Sequence, residues 1–471
     1  MAAGFEVSDT AIVTGLVDRA RRAQAVFAGW SQASVDEAVA AAAWAVLEPG
    51  RNHELAELAV RDSGLGVVAD KVRKNHRKTL GLLRDLHGAK TVGVIAEDAA
   101  SGITEIARPV GVVAAITPST NPAATPANNL INALKGGNAI ILAPSPKGAS
   151  TCRRLLEFVH AELARVGAPL DLVQQLPPPG SKALVAELMR QADLVLATGS
   201  PANVRAAYRS GTPALGVGAG NVAAIVLPAA DLGATAACIA ASKTFDNATS
   251  CSSENSLVVV GAAWPPLFAA LQKEGGVMVA AVDKHALEKT MFPDGKLAAS
   301  VVAQSAQEIA RQAGLTAAAY AGARFLLVEE EGVGAGFPFS GEKLSPVLTV
   351  YRVADFDAAV DLVRRIYDFQ GKGHSVGVHG ASEQQVLRLG RELPVCRVIV
   401  DQVHCYAVGG SFDNGLPFSL SMGCGSWGGN GFSDNLNYRH FLNITRIVRP
   451  IAERLPSEEE LLGHYWQRYG K

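Results

Sequence analysis

The chain lacks any paired-cysteine pattern. Its six cysteines, at 152, 238, 251, 396, 405 and 424, include no Cys-x-x-Cys spacing and no ligand-like pairing with histidine. A structural zinc and a disulfide framework are therefore disfavoured, and a reducing cytoplasm fits best. An excess of one charge is also missing. Lys and Arg number 43 against 44 Asp and Glu, and the basic residues are scattered, so no nucleic-acid footprint is present. Long apolar runs are absent too. Ala38–Leu47 is short, follows Asp36 and Glu37, and lies well inside the chain, which excludes a membrane span or signal peptide there. It reads as the buried face of a helix beginning near Ser34, with Ser34-Val-Asp-Glu37 as a capping box. The first thirty residues read as another helix, ending near Trp30. An encapsulation address is the other reading of such a segment, but no flexible linker follows it, and a structural helix is favoured.

What is present is ample core. Hydrophobic residues make up 48% of 471, enough for two or three lobes. Helical patterns fill residues 9 to about 90, and Thr104–Val110 resembles a short exposed strand. Strands then alternate with helices from Val110 to Arg209, and again from Leu257 to Val400. This alternation predicts an α/β fold with two open parallel-sheet lobes. The lobes are expected to meet near residue 245, with Cys251 at the junction, where small-molecule sites commonly lie. A glycine-rich stretch, Gly409–Gly431, gives way to a strand-like run at Phe441–Arg449. With Thr104–Val110 it suggests an arm that completes a sheet in a neighbouring subunit. Ser457-Glu-Glu-Glu opens a terminal helix.

Cys251 carries the sharpest chemical signal. It sits in Thr249-Ser-Cys-Ser-Ser253, ahead of an apolar strand, where flanking hydroxyls and backbone N–H groups can stabilise a thiolate or an oxyanion. On chemistry alone, a nucleophile and an ordinary half-buried cysteine are equally good readings. Four turns beside strands add to it. Asn121, in the loop Thr117-Pro118-Ser-Thr-Asn121-Pro122, is either an oxyanion donor or a helix cap. Gly199-Ser200-Pro201 enters a helix whose free N–H groups suit a phosphate. Gly216-Val-Gly218-Ala-Gly220-Asn221 precedes an apolar run rather than a helix, so it is not a dinucleotide fingerprint. It lets the backbone pass close to a ligand or to Cys251. His374, in Gly371-Lys-Gly-His374-Ser375, is structural or a base for a thiol-dependent enzyme. Nothing suggests a resident metal.

Together these residues resemble the aldehyde dehydrogenase superfamily over nearly the whole chain, and its CoA-acylating branch most. The matching segments are Thr120-Asn121-Pro122, Asn138-Ala-Ile-Ile, Ala197-Thr-Gly-Ser200, Gly216-Val-Gly-Ala-Gly-Asn221, Lys243-Thr-Phe-Asp-Asn, Cys251 and Cys424-Gly-Ser-Trp-Gly-Gly-Asn430. The resemblance implies a nucleotide-binding domain at 1–98 and 111–244 and a catalytic domain at 245–430. It also implies an oligomerisation arm and tail at 99–110 and 431–471, in a homodimer or homotetramer. It implies Cys251 as nucleophile, with Asn121 and the Cys251 N–H holding the oxyanion, and His374 assisting the CoA step. Thr117, Pro118, Ser145, Gly199, Ser200, Gly218 and Glu342 would contact NAD or NADP, with Ser200 at the pyrophosphate and Glu342 at the nicotinamide ribose.

Departures from the hydrolytic members sharpen the reading. Those enzymes carry a general-base Glu where this chain has Gly216. A thioester should then survive until another thiol displaces it, because thiol exchange needs far less base assistance than hydrolysis. That points to CoA as acceptor. The loop Ala143-Pro-Ser145-Pro-Lys147 has no acidic partner for a ribose 2′-hydroxyl, which leaves NAD and NADP equally open, with Ser145 or Lys147 able to meet a 2′-phosphate. The tail Asn435-Leu-Asn-Tyr438-Arg439-His440 resembles the sulfoacetaldehyde-oxidising subgroup. Arg439 is a candidate partner for a sulfonate, or a subunit contact. Sulfoacetaldehyde is the leading substrate expectation, with acetaldehyde, propanal and succinate semialdehyde as alternatives. An acyl-phosphate reductase and a non-catalytic assembly paralogue are the rival classes.

Overall fold

A computed structural model describes residues 8–178 and 180–471; residues 1–7 of the expected N-terminal segment lie outside the described residues. Four helices come first: Asp9–Phe27, Gln32–Leu47, Pro49–Ser63 and Val68–Leu86. The second starts earlier than expected. Ser31 rather than Ser34 is its N-cap, its hydroxyl accepting from the Ser34 N–H, so Ser34-Val-Asp-Glu37 lies inside the helix and forms no capping box.

Strands β1 (Gly93–Asp98) and β2 (Ile103–Pro109) pair antiparallel. Next come β3 (Val112–Thr117), β4 (Ala139–Pro144), β5 (Val173–Gln175), β6 (Leu194–Thr198) and β7 (Ala214–Val217), which form a parallel sheet in the order β5-β4-β3-β6-β7. The runs Val112–Ala115 and Ala139–Leu142 have no exposed surface, as expected of strands covered by helices on both faces. The chain turns back at β3, with β4 on one side and β6 on the other. The C-terminal ends of β3 and β6 therefore lie side by side at a topological switch point, the usual ligand position in such sheets.

The second lobe contains β8 (Val222–Val226), β9 (Glu254–Val260), β10 (Gly276–Met278), β11 (Phe325–Glu329), β12 (Val347–Val353), β13 (Val376–His379) and β14 (Val398–Val400). All are parallel, in the order β10-β11-β12-β9-β8-β13-β14. Because β8 lies at the heart of this sheet, the two sheets divide between Val217 and Val222 rather than at residue 245. The helix Leu232–Thr244 likewise packs its apolar side into the second lobe.

The last strand, β15 (Leu442–Val448), returns to pair antiparallel with β2. The two stray strand segments of the sequence therefore pair with each other within one chain, and β1, falling inside the stretch assigned to the nucleotide-binding domain, joins them as a third strand. The terminal helix Glu458–Tyr469 is capped by Ser457. No helix among the described residues is long and apolar enough to cross a membrane.

Candidate active site

In the second sheet the chemistry precedes the strands. Asn221 stands just before β8, Cys251 before β9, Glu342 before β12 and His374 before β13. Parallel pairing puts all four at one edge of that sheet. This N-terminal edge faces the C-terminal edge of the first sheet, from which Pro118, Asn121, Gly199 and Ser200 emerge. Between the two lies a cavity of about 370 Å³, lined by Pro118, Asn121, Gly199, Ser200, Gly218, Cys251 and Glu342. Thr117 and Ser145 do not line it. Thr117 is buried with its hydroxyl unpartnered, and Ser145 lies beside it on the same sheet edge, donating its N–H to the Thr117 carbonyl at 2.9 Å.

Cys251 is half-buried, and burial, the nearby Glu342 carboxyl and Cys424 all push its thiol pKa up. Its Sγ lies 3.5 Å from His374 Nε2, and His374 Nδ1 is 2.8 Å from the Ser375 hydroxyl. Burial, with the Arg397 guanidinium adding to it, lowers the His374 pKa to about 3. The resting pair is therefore a neutral thiol beside a neutral imidazole, not a preformed ion pair. The Ser250 and Ser252 hydroxyls, expected to support the sulfur, hydrogen-bond each other at 2.6 Å instead. The glycine loop does pass close to Cys251. A Cβ at Gly220 would collide with the Cys251 carbonyl and come within 3.1 Å of the His374 ring.

Asn121 is oriented by a cluster that sequence reasoning missed. Lys74 Nζ donates to Asn121 Oδ1 at 2.9 Å, which fixes the amide so that Nδ2 is its donor end, 3.4 Å from the Thr120 hydroxyl. Lys74 is held in turn by Asp246 at 2.5 Å and Thr249 at 3.0 Å, while Lys71 bridges Asp246 and the Thr120 carbonyl. Asp246, Asn247 and Ala248 all have φ near +50° (51°, 50° and 55°), a left-handed run that costs L-residues about 1–2 kcal/mol each. The Asp246 carboxylate anchors that turn by also accepting from the Val67 N–H at 2.8 Å. One cluster thus fixes both the Asn121 amide and the turn that leads to Cys251. Its signal was the spacing of Lys71, Lys74 and Lys78, which lie on the buried face of the helix Val68–Leu86.

Glu342 accepts from the Gly220 N–H at 3.1 Å, and burial raises its pKa to about 8 despite that bond and the Lys243 and Lys343 charges. Gly216 has no room for a side chain, since a Cβ there would meet Val204 at 2.7 Å and Tyr208 at 2.9 Å. A dinucleotide fits the remaining residues. No atom lies within 4 Å of a Cβ built on Gly218, and Ser200 caps the helix Pro201–Arg209, whose N-terminus opens on the cavity. Arg439 is not among the cavity residues; its guanidinium lies over the Tyr438 ring at 5.7 Å.

Residues 2–334 match the model of the aldehyde dehydrogenase family. The sulfoacetaldehyde dehydrogenase (acylating) of Cupriavidus necator is 66% identical, over 98% of this chain and 93% of its own. The succinate-semialdehyde dehydrogenase (acetylating) of Clostridium kluyveri is 37% identical over 97% of this chain and 100% of its own. Among solved structures, an acetylating aldehyde dehydrogenase from Geobacillus thermoglucosidasius superposes with a TM-score of 0.91 at 33% identity, covering 95% of this chain and 98% of that one.

Proposed function

This chain belongs to the aldehyde dehydrogenase family, and from that premise we propose that it oxidises sulfoacetaldehyde, with CoA and NAD(P)+, to the corresponding acyl-CoA. It is a CoA-acylating oxidoreductase acting on an aldehyde group. The observation that carries the assignment of roles is the 3.5 Å contact between Cys251, which lines the cavity with Asn121 and Glu342, and His374, which is fully buried and does not itself line it.

As the aldehyde enters, Cys251 Sγ bonds to the carbonyl carbon and the thiol proton passes to His374 Nε2. Asn121 Nδ2 and the Cys251 N–H receive the oxyanion, a role commonly worth about 2.7–4 kcal/mol per donor. The nicotinamide, when bound, supplies the hydride acceptor. Gly199, Ser200 and Gly218 would cradle its pyrophosphate and Glu342 its ribose, with Thr117, Pro118 and Ser145 along the same sheet edge. Loss of hydride leaves a thioester on Cys251. His374 gives up that first proton to solvent, then takes the proton of the incoming CoA thiol, whose sulfur displaces Cys251 from the acyl carbon, and passes it to the departing Cys251 sulfur. Gly216 offers no carboxylate to activate water in its place.

The reading extends to a cytoplasmic homodimer or homotetramer formed through the arm, supported by the exposed apolar side chains of Ile447 and Val448 on β15. The test measures NAD(P)H formation from sulfoacetaldehyde and acetaldehyde, with and without CoA, with Cys251→Ala as the blank. CoA-dependent turnover that favours sulfoacetaldehyde and vanishes in the variant is expected. Steady turnover to free acid without CoA would overturn it. Running both nicotinamides separates NAD from NADP.

A further inference from the structure

We propose that Arg77 and Lys78, on the helix Val68–Leu86, bind the sulfonate of the substrate and so determine its selection over uncharged aldehydes. This rests on the reading of the substrate as a short sulfonated aldehyde.

Both side chains line the cavity that contains Cys251 and Asn121. The other Lys and Arg side chains of that helix each have a carboxylate partner, Lys71 and Lys74 sharing one. Lys71 and Lys74 pair with Asp246, Arg73 with Asp70 and Arg84 with Asp85. Arg77 and Lys78 have no carboxylate within 4 Å among the described residues. Lys78 is only 9% exposed, and its ammonium reaches a single acceptor, the Gly409 carbonyl at 2.5 Å. A buried cation without a counter-ion is costly, and such sites persist where an anion completes them. Burial lowers the Lys78 pKa to about 7, so a bound anion is what would secure its charge.

Arg77 stacks on the Tyr406 ring at 4.9 Å and donates to the Ser411 hydroxyl at 2.5 Å. Its remaining N–H donors form the planar fork that suits two oxygens of one anion. Tyr406 follows Cys405, whose carbonyl accepts from the Ser252 hydroxyl at 3.4 Å, so the arginine is linked to the loop that carries Cys251. Thr125 lines the same cavity. Its hydroxyl is buried and has no partner, which leaves a neutral donor free on the wall of that cavity.

The test compares Lys78→Met and Arg77→Met with the native enzyme in three measurements. The first is the ratio of kcat/KM for sulfoacetaldehyde to that for acetaldehyde. It should fall about tenfold to a hundredfold in each variant, the weight of a hydrogen bond to a charged group, with KM for CoA little changed. The second is thermal stability. Lys78→Met removes an unpaired buried charge, and the Gly409 carbonyl keeps the Ser419 N–H at 3.0 Å, so Tm should not fall. The third is calorimetric binding of ethanesulfonate, a sulfonate without an aldehyde, which the native protein should bind and the variants should not. Equal losses for both aldehydes, or a rise confined to KM for CoA, would overturn the proposal, as would failure of the native protein to bind ethanesulfonate. Should the native enzyme bind ethanesulfonate through these side chains yet not oxidise sulfoacetaldehyde, the anion site stands and the substrate reading fails.

Discussion

The acid–base state of Cys251 and His374 makes firm demands on pH behaviour. The thiol pKa is raised, so alkylation of Cys251 by iodoacetamide, followed by mass spectrometry, should climb with pH up to 9 without levelling off. An ordinary thiol, with a pKa of about 8.5, would approach a plateau there. His374 and His404 both have pKa values lowered to about 3 by burial. In the unfolded chain they titrate near 6.5, so the folded state binds fewer protons between those values. The stability they contribute is present above pH 6.5 and lost as pH falls toward 3. Glu342, raised to about 8, and Glu254, raised to about 7, act in the opposite sense between pH 8 and 4.5. The change in Tm from pH 7 to pH 5 should therefore be more favourable in His404→Gln than in the native protein. On the proposed roles, Lys74 acts through Asn121, to which it donates at 2.9 Å, and is a positioning residue. Lys74→Met should lower kcat about tenfold to a hundredfold with a small change in KM, whereas Asn121→Ala should cost about 10²–10³ in kcat. At this scale the positions of Cys251 and Asn121 beside the cavity were legible because each sits in a polar turn next to a strand, whereas Glu342 came only from the family resemblance. Lys71, Lys74 and Lys78 were not legible, because cations on a helix read as solvated until packing shows which face is buried.

Element boundaries followed local chemistry closely where a hydroxyl cap marks a helix start, as at Ser181, Ser305, Ser382 and Ser457. Local chemistry misled at Ser34, because Ser31 offers the same cap one turn earlier and its hydroxyl takes the Ser34 N–H. Strand order was out of reach. Nothing in the sequence around Val222–Val226 says that β8 pairs with β9 and β13 rather than with β7, since parallel pairing is set by distant segments. The same element-level packing makes Gly220 intolerant of a side chain. Gly220→Ala would force the loop off Cys251 and His374, so kcat should drop by more than tenfold while a far-UV spectrum stays native. Unchanged kcat would mean that the loop does not hold Cys251 in place.

At the scale of the molecule, the arm sheet ends in strands with free edges, and β15 exposes Val448 to 71%. Paired Ile447→Asp and Val448→Asp substitutions should shift the protein to a smaller species in light scattering. That two strand-like runs stand apart from both lobes was legible because they were left over once the lobes were accounted for. That they pair first within one chain was not, since a leftover strand is equally consistent with either partner. The closed space around Gly216 has a consequence for how such a molecule can change over time. The helix carrying Val204 and Tyr208 fills the room a carboxylate would need. A glutamate at 216 therefore has to displace the Val204 and Tyr208 side chains before its carboxylate could serve water. Until then the chain is committed to handing its acyl group onward with the free energy of the oxidation still stored in a thioester bond.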